Sequence, residues 1–258
     1  MSQLLHTLVP VLSGVGSVAV LTGAGMSAES GVPTFRDALT GYWSRYDPAD
    51  LATPEAFRRQ PDVVFGWYLA RLRRILAAVP HEGYDALATL DAALGGVPVI
   101  TQNVDGLHST AGSRDVIELH GSLRAFRCSA QAHPVPLATI ARLAEDADGG
   151  PVQPPECPNC GSYVRPGVVW FGEVLPADAL ERAADVAGRC DILLVVGTSS
   201  VVYPAAQIPH HARASGATVI EINPTRTPLS AVAHHQVPMT ARQALPEIAR
   251  LITSAAAA

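Results

Sequence analysis

The chain has 258 residues, more than a typical single domain but few for two independent ones, which fits one large domain with a smaller inserted module. Apolar residues make up 48% of the chain and charged residues 16%, a balance that allows a sizeable core and argues against long disorder. The net charge of −5 argues against a dominant electrostatic role in nucleic-acid binding. All 18 basic residues are arginine, which excludes a catalytic Schiff-base lysine or a P-loop lysine.

The N-terminal segment and the cysteines bear on where the protein works. No basic residue precedes Arg36, so the charged start of a secretory signal is missing. No apolar stretch approaches the roughly 20 residues that span a bilayer. Three of the four cysteines, Cys128, Cys157 and Cys160, lie close together, which favours a metal site over a disulfide framework. We therefore expect a cytoplasmic protein with no membrane partner and no direct contact with nucleic acid.

Four short apolar runs, rich in valine and isoleucine, predict strands. They span 17–21, 97–101, 192–196 and 218–222, and helix-like stretches lie between them. Because apolarity in each run is nearly continuous rather than alternating, we expect burial on both faces, as in a parallel sheet covered by helices. The predicted fold is α/β and Rossmann-like, and polar residues at the carboxyl ends of its strands should line a ligand crevice.

Two segments interrupt this pattern. Residues 36–80 carry aromatics and arginines at helical spacing, and residues 122–166 are rich in proline and glycine and contain the cysteine cluster. We interpret them as the helical part and the cysteine-containing part of a small module, with a partial zinc-ribbon. The large dinucleotide-binding domain then comprises 1–35, 81–121 and 167–258.

A glycine-containing turn follows the first predicted strand. Gly23 and Gly25 would let backbone amides approach a diphosphate, and the N-terminus of a following helix would favour its negative charge. The alternative is a plain tight turn from strand to helix. The third glycine of the usual dinucleotide fingerprint is missing, and no obvious acidic residue ends a second strand to hold a ribose. A hydride-transferring dehydrogenase is therefore disfavoured.

Several distinctive blocks of sequence follow one another along the chain. They are Gly-Val-Pro-Thr-Phe-Arg at 31–36, Thr-Gln-Asn-Val-Asp-Gly-Leu-His at 101–108, Glu-Leu-His-Gly at 118–121, Gly-Thr-Ser at 197–199, Val-Tyr-Pro at 202–204 and Asn223. In their order and spacing these blocks resemble the signature of the sirtuins, the NAD-dependent protein deacylases. The match covers nearly the whole chain, from about Val20 to Ala241.

The resemblance implies an enzyme that consumes NAD, removes an acyl group from a protein lysine, and releases nicotinamide and 2′-O-acyl-ADP-ribose. His120 would be the catalytic base, since the unperturbed pKa of histidine, roughly 6.5, lies near the working pH. Asn103 would be the second catalytic residue and would organise the nicotinamide ribose and a water molecule. The alternative for His120 is a capping or core histidine. We expect His108, in the same signature, to stabilise its loop rather than take part in catalysis.

The resemblance also assigns residues to NAD. Phe35 would cover the reactive face of the ribose, and Arg36 would contact the diphosphate, although a plain surface arginine is an equal alternative. The full set is Gly23, Ala24, Gly25, Ser27, Phe35, Arg36, Gln102, Asn103, Asp105, Gly197, Thr198, Ser199, Asn223 and Ala241.

A further pattern resembles the sirtuin branch that removes succinyl and malonyl groups. It consists of Ala52 followed by Tyr68 and Arg71. On a helix, residues three apart share a face. A guanidinium can hold a carboxylate with two parallel hydrogen bonds, and a phenol can add a third. The alternative is an amphipathic helix with outward arginines. The segment 167–173 resembles the strand that pairs with substrate backbone, through Val168, Phe171 and Gly172.

Cys157 and Cys160 are spaced like half of a zinc knuckle. Structural zinc takes four ligands, but upstream only Cys128 is present and Gln131 occupies the place of the second thiolate. His133 could supply a fourth ligand, so we expect one structural zinc ion or, as the alternative, a module that has lost its metal and relies on packing.

Two rival functions stay open on the sequence alone. The first is protein ADP-ribosyltransfer from the same NAD site, without an acyl-lysine acceptor. The second is a non-catalytic, NAD-sensing binding module, which the presence of His120 disfavours. Only deacylation couples nicotinamide release one-to-one to loss of acyl-lysine.

Overall fold

The computed structural model describes residues 7–13, 15–32, 46–146 and 149–256. Elements are numbered in chain order within these ranges. The strands are β1 (Val18–Thr22), β2 (Val99–Thr101), β3 (Val116–Glu118), β4 (Gly121–Cys128), β5 (Pro134–Val135), β6 (Val164–Val168), β7 (Ile192–Val196), β8 (Thr218–Ile222) and β9 (His235–Val237). The α-helices are α1 (Val9–Leu12), α2 (Pro48–Leu51), α3 (Pro54–Arg59), α4 (Pro61–Ala77), α5 (Glu82–Leu94), α6 (Leu107–Thr110), α7 (Leu137–Asp146), α8 (Ala177–Arg189), α9 (Ile208–Ala214) and α10 (Ala241–Ala256).

Six parallel strands form the main sheet, in the order β3-β2-β1-β7-β8-β9. This is the Rossmann order, and it reverses between β1 and β7, which places a crevice at the carboxyl ends of those two strands. Both faces are covered. Val20 of β1 lies in one apolar cluster with Leu90 and Ile248, whereas Leu21 lies in another with Ala187. The predicted α/β, Rossmann-like fold is confirmed.

The four strands predicted from the sequence are present as β1, β2, β7 and β8. The sequence did not indicate β3 and β9, which lie at the two edges of the sheet. Each has three residues, of which only Ile117 and Val237 are buried. A continuous apolar run arises only where both faces are covered, so short edge strands leave little trace in the sequence.

A second, three-stranded antiparallel sheet has the order β5-β4-β6. Helix α4 packs against it: the rings of Phe65 and Phe126 lie edge to face, 6.3 Å apart between centroids. The Val152 amide also donates to the Asp62 carbonyl at 2.9 Å. Parts of the two predicted insertions therefore contact each other, while the domain boundaries themselves stay a prediction. Within the described ranges, no helix has both the length and the apolar character needed to cross a membrane.

The loops after β1 and β7 pack directly against each other. The Gly23 amide donates to the Val196 carbonyl at 3.0 Å, and the Gly25 amide donates to the Gly197 carbonyl at 2.8 Å. A Cβ at Gly25 would lie 2.8 Å from the Gly197 Cα, and Gly197 itself has φ +59°. Glycine is thus required here because two backbones touch, and both amides are already bonded within the protein.

The expectation of a helix directly after this loop is wrong. Two 3₁₀ turns of three residues follow instead, Ala24–Met26 and Ala28–Ser30, and Gly31 then has φ +79°. Such short turns align few peptide dipoles, so the argument from a helix N-terminus does not apply to this loop.

Gly197→Ala should destabilise the fold more than Gly95→Ala. Gly95 caps α5 with φ +74° and has nothing within 4 Å of an added Cβ, so its substitution costs only the left-handed backbone, about 1–2 kcal/mol. At Gly197 the same methyl group would lie 2.5 Å from the Gly25 carbonyl carbon, which forces the loops apart. Urea unfolding measures both free energies. Equal losses in the two variants would show that the loop contact is not limiting.

Candidate active site

A cavity of about 540 Å³ opens at the carboxyl ends of β1, β2 and β7 and extends beneath the segment after β6. Most of the residues predicted to act on NAD or substrate line it. They are Gly23, Ala24, Gly25, Ser27, Ala52, Tyr68, Arg71, Gln102, Asn103, Asp105, His120, Val168, Phe171, Gly172, Gly197, Thr198 and Ser199.

The loop after β2 joins the other two loops by side-chain hydrogen bonds. The Gln102 Nε2 donates to the Thr198 Oγ1 at 3.0 Å, and the Asn103 Nδ2 donates to the Gly23 carbonyl at 3.0 Å. Asn103 is buried, and its backbone amide donates to the Thr101 Oγ1. The loops after β1, β2 and β7 therefore form one connected wall, in which the Asn103 amide group is held in a single orientation.

His120 lies between β3 and β4, half-buried at the cavity wall. Its Nδ1 is 3.0 Å from the Gln102 carbonyl oxygen. A carbonyl only accepts, so Nδ1 carries the proton and, in the neutral ring, Nε2 is the acceptor. Burial lowers the pKa of His120 below 6.5, although the hydrogen bond to Gln102 acts in the opposite direction. The ring is therefore neutral near pH 7 and able to take up a proton at Nε2.

Asp105 and His108 lie deeper. Asp105 is buried and its Oδ1 accepts from the Leu107 amide at 2.9 Å, while burial raises the pKa of its carboxyl. Burial lowers the pKa of His108 to about 3, and its Nε2 lies 3.0 Å from the Thr22 Oγ1. Because His108 contacts the base of the loop and does not line the cavity, its position agrees with a stabilising role.

Tyr68 and Arg71 form the far end of the cavity. Both project from α4, one turn apart, and both line the cavity as helical spacing requires. The Arg71 guanidinium carbon lies 5.1 Å from the centroid of the Trp67 ring. Ala52 lies beside them, and its carbonyl accepts from the Phe171 amide at 2.9 Å. A guanidinium and a phenol therefore share one cavity with His120.

The segment after β6 forms the remaining wall. Val168 ends the strand, the Val169 amide donates to the His120 carbonyl at 2.8 Å, and a turn with Gly172 at φ +85° follows. Phe171 is 50% exposed although it is aromatic. The strand ends at Val168 and the turn begins at Phe171, so the pairing of residues 167–173 with a substrate backbone stays a prediction.

Two of the predicted NAD residues, Asn223 and Ala241, are not among the described residues of the cavity wall. Asn223 lies behind the lining residue Thr198, and its Nδ2 donates to the Thr198 carbonyl at 3.0 Å. Ala241 is buried at the start of α10. Phe35 and Arg36 lie outside the described residues. Conversely, the wall includes apolar residues that sequence reasoning did not assign, because an apolar lining residue has the same sequence pattern as a core residue: Val32, Ile75, Val104, Val169, Trp170, Leu175, Val202 and Tyr203.

A separate cluster brings together the side chains predicted to bind zinc. One ligand atom each from Cys128, His133, Cys157 and Cys160 lies within 4.8 Å of all the others. Two pairs, Cys128 Sγ with Cys160 Sγ and Cys157 Sγ with His133 Nδ1, are 3.5 Å apart. Tetrahedral zinc with Zn–S bonds of about 2.3 Å separates its ligand atoms by roughly 3.8 Å, so three thiolates and one imidazole fit the ion.

Gln131 does not contribute a side-chain ligand to this cluster. Its side chain is exposed, and its backbone amide donates to the Cys128 Sγ at 3.1 Å, as an amide commonly does beside a metal-bound thiolate. None of the four candidate ligands lines the cavity. The donor set is that of a structural zinc-binding group in the small sheet, and the assignment of His133 as fourth ligand stays a proposal.

The fold and the cavity define an α/β protein with a dinucleotide-type crevice at its topological switch point. Residues 23–204 match the model of the Sir2 family. The chain is 48% identical to the NAD-dependent protein deacylase 1 of Pseudomonas aeruginosa over 95% of this chain and 98% of that one. It is 44% identical to the NAD-dependent protein deacylase 1 of Archaeoglobus fulgidus over 92% and 94%. The chain belongs to the Sir2 family.

Two solved structures that share this fold contain NAD or an acetylated ADP-ribose. A Sir2 homologue mutant in complex with 2′-O-acetyl ADP ribose superposes with a TM-score of 0.87 at 42% identity, covering 96% of each chain. A Sir2 homologue in complex with NAD gives a TM-score of 0.86 at 41% identity, covering 97% of this chain and 94% of that one.

One zinc ion per chain should be found by elemental analysis of the purified protein. The His133→Ala variant should lose this ion at a far lower chelator concentration than the unchanged chain, because a structural site needs all four ligands. His210→Ala, at an exposed histidine of α9, is the matched control and should leave zinc retention unchanged. Zinc held equally tightly after His133→Ala would remove this histidine from the ligand set.

Proposed function

We propose that this chain removes succinyl, malonyl and acetyl groups from protein lysines, with Tyr68 and Arg71 as the binding groups for the acidic acyl chains. It is an NAD-dependent protein deacylase, as its family, its relatives and the ligands of similar structures support. The observation that carries the proposal of acyl choice is the presence of a guanidinium and a phenol in the same cavity as His120.

The residues of the cavity suit NAD, which supplies the ribose carbon that takes over the acyl group when nicotinamide leaves. Gln102 and Asn103 are fixed by the neighbouring loops and would orient the nicotinamide ribose. Asp105 is buried and would hold the carboxamide. Thr198 and Ser199 follow a buried strand on the cavity wall and would bind the diphosphate, with Asn223 bonded to Thr198 from behind.

His120 acts as the base in this proposal. Its Nδ1–H is bonded to the Gln102 carbonyl, which leaves Nε2 as the atom that accepts a proton from a ribose hydroxyl. Gln102 thus has two functions, because its side chain bonds to Thr198 while its carbonyl fixes the tautomer of the base. The apolar residues Val104 and Phe171 border the same space and exclude water from it.

The acyl end supplies the argument for acidic groups. A buried carboxylate without a partner is very costly, so a site that accepts one needs a cation in place. Arg71 is that cation, and it lies on the cavity wall beside the Tyr68 hydroxyl. A pocket for an acetyl group alone would need neither. The small side chain of Ala52 leaves room for the longer chain.

The rival functions do not account for this arrangement. An NAD-sensing module has no use for a base with a fixed tautomer, and an ADP-ribosyltransferase has no use for an acyl pocket. A reducing, cytoplasmic location agrees with the state of the cysteines, since all four in the chain are free thiols and three of them share the zinc-binding group.

Arg71→Met should lower kcat/KM for a succinyl-lysine peptide about a hundredfold, mainly through KM, because charge-assisted hydrogen bonds contribute about 1.5–3 kcal/mol each and about 1.4 kcal/mol is a factor of ten. Removal of an acetyl group from the same peptide should be unchanged or faster. Mass spectrometry of both peptides after incubation with NAD measures the ratio.

Arg73→Met is the control for that experiment, since Arg73 is exposed on the same helix. It should leave both activities unchanged. If Arg71→Met lowers both activities equally, Arg71 is structural and the acyl preference is wrong, while deacylation itself is unaffected.

His120→Ala should abolish turnover and leave NAD binding, measured by calorimetry, largely intact. In the unchanged enzyme an NMR titration should place the pKa of His120 below 6.5, since burial disfavours the charged ring. The resonance is identified by its loss in His120→Ala. As pH falls through that pKa, the base becomes protonated and kcat/KM should decline. A His120 pKa above 6.5, or a variant that keeps most of its rate, would contradict the assignment.

A further inference from the structure

A buried hydrogen bond joins the proposed acyl pocket to the wall opposite it. The Trp170 indole Nε1 lies 2.9 Å from the Tyr68 hydroxyl oxygen. Trp170 and Tyr68 are 2% and 4% exposed, so water does not compete for this bond. An indole N–H is a donor only, and the Tyr68 oxygen is therefore the acceptor.

This assignment decides where the Tyr68 proton points. With its oxygen already accepting from the indole, the hydroxyl must direct its own hydrogen elsewhere. Among the described residues, the indole is the only hydrogen-bond partner of this oxygen. Burial raises the pKa of Tyr68 far above its ordinary value, so the hydroxyl keeps its proton. The remaining direction is the cavity, which Tyr68 and Arg71 line together.

We propose that Trp170 is a positioning residue for acyl selection: its indole N–H orients the Tyr68 hydroxyl so that the hydroxyl donates to the carboxylate of a succinyl or malonyl chain. The inference rests on the proposed function, in which Arg71 and Tyr68 bind that carboxylate. Without the indole, the hydroxyl could rotate and offer the carboxylate a lone pair instead of a proton.

The indole is itself held on its face and at its backbone. The Arg165 guanidinium carbon lies 3.4 Å from the centroid of the Trp170 ring. The two terminal nitrogens of this guanidinium, Nη1 and Nη2, donate to the two carboxylate oxygens of Glu173 at 2.6 and 2.9 Å. Glu173 also accepts from the Trp170 amide at 2.8 Å. Arg165 is 7% exposed, so the guanidinium side of this charge-assisted pair is shielded from water.

The ion pair therefore acts as a clamp on one side chain. Arg165 stacks on the ring by a cation–π contact, and its guanidinium also donates to the Val168 carbonyl at 3.0 Å. Although burial acts to raise it, the pKa of Glu173 is held below its ordinary value by hydrogen bonds from Arg165 and the Trp170 amide. The clamp stays charged at neutral pH and keeps the indole edge directed at Tyr68.

Trp170→Phe tests the proposal, because phenylalanine keeps a ring for Arg165 to stack on and lacks the N–H. The ratio of kcat/KM for succinyl- over acetyl-lysine peptide should fall about three- to tenfold, mainly through KM for the succinyl peptide, as expected for one neutral hydrogen bond. In a Tyr68→Phe background the same substitution should leave the ratio unchanged, since no hydroxyl remains to orient. An undiminished effect in that background would overturn the proposal.

A second measurement does not depend on the folding of Trp170→Phe. The chain has three tryptophans, so its indole N–H resonances are few and can be assigned. Tyr68→Phe should speed exchange of the Trp170 indole proton with water, and unaltered exchange would overturn the proposal. If the unchanged enzyme removes no succinyl group, both this inference and the proposed acyl choice fail. If succinyl removal depends on Arg71 but Trp170→Phe leaves the ratio unaltered, only the positioning role fails.

Discussion

The loops after β1 and β7 approach so closely that an added Cβ at Gly23 would lie 2.8 Å from the Thr198 Cα. Strand order brings these loops together, since β1 and β7 are neighbours at the point where the strand order reverses. Once the two loops touch, the loop after β2 can reach both of them, through Gln102 to Thr198 and through Asn103 to the Gly23 carbonyl. His120 in turn takes its orientation from the Gln102 carbonyl. The orientation of His120, the proposed base, thus depends on the contact between two glycine-containing loops that carry no proposed catalytic group, and on the loop after β2, which carries Asn103.

The use of arginine alone among the basic residues has a consequence for a lysine deacylase. With no lysine among its 18 basic residues, the chain has no side chain of the kind on which it acts. In the proposed acyl pocket, the Arg71 guanidinium presents its donors in a plane that matches a carboxylate, whereas an ammonium group does not.

The long buried strands and the polar residues at their ends could be predicted from the sequence, because a strand covered on both faces leaves a continuous apolar run. The position of Trp170 could not be predicted, because its sequence context is that of a core residue. Its N–H has a partner only because the fold brings it to Tyr68, 102 positions earlier in the chain. The hydrogen bonds of the Gly23 and Gly25 amides could not be predicted either, since their partner carbonyls belong to the end of β7 and the loop after it, more than 170 residues away. The zinc-binding group could be predicted in part, because Cys157 and Cys160 lie only three positions apart on the chain, but the approach of His133 to them is a property of the folded sheet.

The small sheet connects the zinc-binding group with the active site. In the antiparallel pair of β4 and β6, Cys128 lies opposite Val164 at one end and Gly121 lies opposite Val168 at the other. The first end carries the metal ligands, whereas the second joins His120, whose carbonyl accepts from the Val169 amide, and Trp170. Arg165, which clamps the indole, lies one residue after Val164 on the same strand. A metal ion bound there would fix the register of β4 and β6 and, through it, the positions of His120, the proposed base, and of Trp170, although none of the candidate ligands lines the cavity.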